Sequence, residues 1–143
     1  MRKSLLIVDD DKAFAKMLCD ALKNKDYAVT CMTDSQSALD YALEHQPNVM
    51  LVDWLMPEMD GLELAKRARE SNPFVQVIMI SVDPSLESMV KMHDVGIFDY
   101  LIKPLNIKQL RTIVKEAFVH SERWRCSLDK YTKNLKKKKG VSA

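Results

Sequence analysis

Val49-Met50-Leu51-Val52-Asp53-Trp54-Leu55-Met56-Pro57-Glu58-Met59-Asp60-Gly61 opens as four apolar residues and delivers a carboxylate, Asp53, where the hydrophobic run stops. Four apolar residues in succession are the composition of a strand buried on both faces of a parallel sheet. Asp53 therefore falls at the strand's carboxyl end, the edge of an open α/β sheet where ligands bind. Pro57 and the Asp60-Gly61 pair then turn the chain toward a helix, so the segment reads strand, reactive loop, helix.

Working outward, the same unit recurs. Leu5 to Val8 is a short apolar run that ends in Asp9, Asp10 and Asp11, followed by a helix with Phe14, Met17, Leu18, Ala21 and Leu22 on one face. Tyr27 to Met32 is a second strand, and Asp34 or Ser35 caps a helix that Pro47 ends. After the Asp53 strand, a helix from Gly61 to Ser71 stops at Asn72-Pro73. Val75 to Ile80 is a fourth strand, leading through Ser81, Val82 and Asp83 to Pro84 at the start of a weaker helix that Gly96 stops. Tyr100 to Ile102 is a brief fifth strand, and Lys103-Pro104 precedes a long helix from about Asn106. Five strands alternating with five helices predict an α/β fold in three layers, a parallel sheet with right-handed crossovers and helices on both faces.

The chain has 143 residues, 47% hydrophobic and 29% charged, the composition of an ordinary globular domain with a sizeable core. No apolar run reaches the length of a membrane span and the N-terminus lacks a signal-peptide pattern, so a cytoplasmic protein is expected. Cys19, Cys31 and Cys126 are odd in number and without paired spacing, which predicts free thiols, two of them core residues. The net charge of +2 hides a division: residues 1 to 120 hold 14 Lys and Arg against 18 Asp and Glu, whereas residues 121 to 143 hold 8 against 2.

A parallel sheet brings all its strand C-termini to one rim. Asp9, Asp10, Asp53, Ser81 and Lys103 should meet there. Clustered carboxylates repel unless a cation or proton separates them, and a hard divalent ion such as Mg²⁺ answers that need. Asp53 is then placed to act as a nucleophile toward a phosphoryl group, with Lys103 and the Ser81 hydroxyl aimed at its oxygens.

Residues 4 to about 120 closely resemble the CheY-like receiver domain of two-component response regulators. The resemblance rests on Val8-Asp9-Asp10, Val52-Asp53-Trp54-Leu55-Met56-Pro57, Met59-Asp60-Gly61, Ile80-Ser81 and Tyr100-Leu101-Ile102-Lys103-Pro104. It implies a flavodoxin-like sheet of order 2-1-3-4-5, with Asp53 accepting phosphate from a sensor histidine kinase or phosphotransfer protein. Asp9 and Asp10 would hold Mg²⁺ with the Asp53 side chain and the Leu55 backbone carbonyl. Lys103, aimed by a cis peptide before Pro104, would pair with the phosphate, and Ser81 and Tyr100 would form the switch pair. Two positions depart from the commonest pattern: Val82 stands where a small residue is usual, and Leu55 is apolar where some relatives carry a polar side chain. The readout face would be the helix from Pro84 to Asp94, the Tyr100 strand and the start of the last helix, with Ser88, Met89, Met92 and His93 either a partly exposed set for a partner or, for the two methionines, ordinary packing.

A receiver of this kind normally ends near His120, yet the helical pattern continues. Val114, Ala117, Ser121, Trp124, Leu128, Tyr131 and Leu135 alternate steps of three and four, a heptad seam that suggests pairing with a second helix, as in a homodimer, or else an amphipathic helix folded back on its own domain. The expected division is a receiver over 1-120 and a basic helical extension or linker helix over 121-143, with Lys136 to Lys139 at a frayed end. Their charge suits nucleic acid or an acidic partner, but four lysines without a binding fold are weak evidence, and no nucleic-acid binding is expected of this chain alone. The resemblance thus implies a phosphorylation-controlled switch, either stand-alone or the N-terminal receiver of a larger regulator. Two other classes fit less well. An aspartyl-phosphate phosphatase commonly carries a second acid two residues after the nucleophile, where Leu55 stands here. A flavodoxin-like nucleotide binder would need a glycine-rich loop where Asp9-Asp10-Asp11 stands.

Overall fold

A computed structural model describes residues 2–82 and 84–140. The elements are β1 (Lys3–Val8), α1 (Lys12–Ala21), β2 (Tyr27–Met32), α2 (Ser35–His45), β3 (Val49–Asp53), α3 (Gly61–Ser71), β4 (Gln76–Ser81), α4 (Leu86–Val95), β5 (Asp99–Ile102) and α5 (Ile107–Lys138). The strands form one sheet in the order β2-β1-β3-β4-β5, every pair parallel, as expected from the sequence.

The period-2 alternation of the strands divides the core into two layers. Leu6 and Val8 of β1, Met50 and Val52 of β3, and Met79 of β4 face one layer, covered by Ala38, Leu39 and Ala42 of α2 and Leu64, Ala65 and Ala68 of α3. Leu5, Ile7, Leu51, Ile78 and Ile80 face the other, under Leu18 of α1, Leu22 at its C-terminal cap, and Leu110, Val114, Ala117 and Phe118 of α5. β1, β3 and β4 are apolar on both faces because helices lie on both.

Each helix begins at a short polar side chain that accepts a backbone N–H three residues on: Asp11, Asp34, Asp60, Ser85 and Asn106. Such caps contribute about 1 kcal/mol each and fix where the helices start. The cap corrects one expected boundary. The Ser85 hydroxyl accepts from the Ser88 N–H, so α4 starts at Leu86 and Pro84 lies in the preceding loop. α4 also differs in exposure from its expected readout set, because Met92 is buried in the core while Leu86, Met89 and Val90 are exposed.

α5 runs for 32 residues. Val114, Ala117 and Ser121, the first three positions of the heptad stripe, are buried against the chain's own sheet. Those positions are therefore closed to a partner, and the unpartnered stripe is shorter than the sequence pattern implies. An ion pair from Lys3 to Glu122, 2.6 Å, ties the helix to the first strand. Beyond it Trp124, Leu128, Tyr131 and Leu135 are exposed. Lys136, Lys137 and Lys138, read from the sequence as a frayed end, form the last helical turn; residues 141–143 lie outside those described. Among the described residues no helix is long and apolar enough to cross a membrane.

Candidate functional site

Because β1 and β3 are hydrogen-bonded neighbours in parallel, their apolar runs end side by side. Val8 is the partner of Val52, so Asp9 and Asp53 follow at adjacent strand ends. Both carboxylates are buried, whereas Asp10 is exposed. A carboxylate oxygen from each of Asp9, Asp10 and Asp53 lies within 4.8 Å of one from each of the others.

Lys103 enters the cluster from the fifth strand end. The Lys103 N–H donates to the Ser81 carbonyl at 2.9 Å, which continues the β4–β5 ladder one residue past Ile102 and sets the side chain over the rim. Its ammonium lies 3.5 Å from Asp53 Oδ1 and 3.6 Å from Asp9 Oδ2. The ring of Phe14 on α1 lies beneath it, 4.5 Å from Nζ to the centroid, an arrangement that favours a cation.

One cation does not offset this much buried negative charge. Burial is the largest influence on Asp53 and pushes its carboxyl above the ordinary range; the Asp9 charge adds to the push and Lys103 opposes it. Asp9 is raised as well, again chiefly by burial, against the Asp11 N–H and Lys103, which both pull it down. Asp9 Oδ1 accepts the Asp11 N–H at 2.9 Å, while Oδ2 is buried without a hydrogen-bond partner. A buried acceptor without a hydrogen bond, its one ionic contact the Lys103 ammonium that Asp53 shares, is the pattern a hard oxygen-loving cation satisfies. These residues fit Mg²⁺.

The remaining predicted residues fall around this cluster. Ser81 closes β4 with Ile102 as its ladder partner, on the same rim as Lys103. Tyr100 lies one layer in, partnered with Met79 and packed against the core under α3 and α4. Leu55 lies in the loop after β3, two residues past Asp53, and is 71% exposed. The Lys103–Pro104 peptide is cis.

The contacts that three further residues make here are not legible in the sequence. Phe14 reads there as one more apolar position of α1, and nothing in its spacing says that it faces a lysine 89 residues away. Asp11 is the cap of α1, and its N–H orients Asp9. Gly61 donates its N–H to the Trp54 carbonyl at 2.8 Å, and any Cβ there would collide with the Asp53 carbonyl oxygen. Only glycine lets α3 begin this close to the end of β3.

Comparison with known proteins agrees with this geometry. Residues 5–115 match the family model described as the response regulator receiver domain. Over 113 residues the chain is 34% identical to the regulatory protein AtoC of Escherichia coli, covering 79% of this chain and 24% of that protein. It is likewise 34% identical over 114 residues to the DNA-binding transcriptional regulator NtrC of Klebsiella pneumoniae, with 80% and 24% covered. The chain thus spans about a quarter of the length of these relatives. Among solved structures, a CheY-like receiver domain protein from Methanospirillum hungatei superposes with a TM-score of 0.81 at 30% identity, covering 86% of this chain and 98% of that one. A matched family model over most of the chain, the same sheet order and a carboxylate cluster at the strand ends together establish that this chain belongs to the response regulator receiver domain family.

Proposed function

We propose that this receiver is switched by phosphorylation of Asp53, with Asp9, Asp10, the Asp53 side chain and the Leu55 backbone carbonyl holding Mg²⁺ and a sensor histidine kinase or phosphotransfer protein as donor. The observation that carries the reading is the buried Asp9–Asp53 pair sharing one lysine, with Asp9 Oδ2 left without a hydrogen bond. An Asp53 oxygen attacks the phosphorus of a phosphohistidine, the phosphorus–nitrogen bond breaks, and the histidine nitrogen leaves with the electron pair. Bound magnesium supplies positive charge to the phosphoryl oxygens and screens the carboxylates from one another. Lys103 binds a phosphoryl oxygen, and Ser81, on the same rim, donates its hydroxyl to another.

The added phosphoryl group carries about −1.5 to −2 charges. Charge-assisted hydrogen bonds are worth roughly 1.5–3 kcal/mol each. Two of them approach the roughly 5.5 kcal/mol needed to carry a switch from 1:99 to 99:1. Tyr100 would follow Ser81, repacking behind it and moving the exposed apolar surface of α4, Leu86, Met89 and Val90, toward a partner. Turnover as a phosphatase has less support, since exposed Leu55 supplies no acid.

In this reading residues 1 to 120 are the switch and residues 121 to 143 a basic helical extension or linker. The exposed stripe Trp124, Leu128, Tyr131 and Leu135 pairs two copies, or continues into the rest of a longer regulator of the kind AtoC and NtrC represent. A partner-free amphipathic stripe of this length is marginal by itself. Incubation with acetyl phosphate, with and without Mg²⁺, should add one phosphoryl group to the intact mass only when the metal is present. Light scattering should give a dimer that Leu128→Asp converts to monomer; a monomeric parent chain would remove the pairing and leave the phosphorylation intact.

A further inference from the structure

At the sheet edge opposite the carboxylate rim, Arg69 of α3 carries a charge with no counter-ion. Its guanidinium is half-buried between the C-terminus of α4 and the start of β4. Nε donates to the Val95 carbonyl at 3.1 Å and Nη1 to the Val75 carbonyl at 2.7 Å. These bonds occupy two of the five N–H groups of an arginine and leave three. Among the described residues no carboxylate lies within ion-pair distance of it. Burial alone weighs on its ionisation and pulls it below the usual range, with no acid acting in the other direction. Buried charges are ordinarily paired. The two carbonyls hold the side chain in place, yet neither supplies a full negative charge.

The surroundings indicate where a counter-ion enters. Gly96, in the left-handed conformation with φ of 84°, sets bare backbone against the guanidinium; a Cβ there would stand 3.1 Å from Nη2. Beside it opens a groove of about 650 Å³, lined by Arg69, Phe74, Phe98, His120 and Trp124 among others. The size suits a small molecule. No aspartate or glutamate lines it, although residues 1 to 120 carry 18 acids against 14 bases. The aromatic wall is itself organised. Phe98 and His120 lie 5.5 Å apart ring to ring, and the Trp124 indole N–H donates to His120 Nε2 at 3.0 Å. That bond leaves Nδ1 of a neutral imidazole as the donor. A cation with spare fork-shaped donors and an aromatic wall without acids match a ligand with a flat apolar body and one anionic end.

We propose that the groove between Arg69 and Trp124 binds a small aromatic carboxylate or phosphate, its anionic end on the Arg69 guanidinium and its ring against Phe98 and Trp124. This goes beyond phosphorylation at Asp53 and does not depend on it. The site would tie ligand binding to the C-terminal end of α4 and to the root of the α5 extension.

The test uses the full chain labelled with ¹⁵N and titrated with benzoate, phenyl phosphate and the neutral isostere benzyl alcohol. Saturable shifts at the Gly96 and Ile97 amides and the Trp124 indole N–H, at least tenfold weaker for benzyl alcohol, are expected; whichever anion saturates first identifies the headgroup. Arg69→Gln should abolish them. Because Arg69 also holds two carbonyls, Trp124→Ala serves as the second variant, compared with its parent in the Leu128→Asp background so that pairing of two copies does not enter, and should weaken binding severalfold with the fold unchanged by circular dichroism. Equal response to benzyl alcohol, shifts confined to the Lys136–Lys139 end, or full binding by Trp124→Ala would overturn the proposal.

Discussion

Lys103 bridges Asp53 and Asp9, its ammonium 3.5 Å from one carboxylate and 3.6 Å from the other. The geometry gives the lysine two tasks: holding apart two buried charges before reaction and receiving phosphoryl oxygens during it. Lys103→Met keeps the aliphatic stem over Phe14 and removes only the charge. Phosphorylation of that variant by acetyl phosphate should slow on the order of 10²-fold, the scale for deleting one preorganised electrostatic donor. A rate within a few-fold of the parent chain would show that the ammonium stands near the reacting atoms without acting on them.

The raised carboxyls of Asp53 and Asp9 set a pH dependence of stability. A group whose pKa is higher in the folded chain than in the unfolded one stabilises the fold below its unfolded pKa, and that stability is lost as pH rises through the folded value. Both groups follow this sign, and burial is the chief cause in each. In chelator-treated buffer at neutral pH, Asp53→Asn and Asp9→Asn should therefore melt several degrees above the parent chain, and the gap should close as pH falls through the carboxylate range. For scale, about 1 kcal/mol moves the melting point of a domain this size by roughly 2–8 °C. Melting of the asparagine variants below the parent at neutral pH would contradict the electrostatic account. Millimolar Mg²⁺ should raise the melting point of the parent chain and leave the variants little changed.

The three thiols should separate by environment. Cys126 is exposed on the α5 extension, whereas Cys31 donates to the Ala15 carbonyl at 3.4 Å and is pushed up to about 12, first by burial and then by the neighbouring Cys19 thiol. The thiolate is the reactive form. A disulfide reagent at mildly alkaline pH should thus label Cys126 in a fast phase and Cys31 last. Peptide mapping after brief exposure checks the order, and early labelling of Cys31 would contradict the packing of α1 on β2.

How much of this was legible beforehand follows from what each signal encodes. The apolar runs ending at Val8 and Val52 located Asp9 and Asp53, because a strand buried on both faces is apolar until it reaches its carboxyl end. Alternation of strands and helices then fixed parallel pairing, which alone brings Lys103 to the same rim. Periodicity records which residues are buried, but says little about what they touch. For that reason Phe14 beneath Lys103, the unpaired Arg69 and the burial of Met92 appear only once the elements are packed. The heptad stripe of α5 shows the same limit: a helix against its own sheet and a helix against a partner show the same spacing, and only packing reveals that Val114, Ala117 and Ser121 are already covered.

The central claim is that Asp53, among the clustered carboxylates, carries the phosphoryl group. The most direct measurement is borohydride trapping: after treatment with acetyl phosphate and Mg²⁺, reduction converts an acyl phosphate to an alcohol, and peptide mass spectrometry locates the altered residue. The account predicts homoserine at position 53, absent without the metal and absent in Asp53→Asn. Homoserine at position 9 or 10, or none anywhere after a phosphoryl group has been detected on the intact chain, would contradict it.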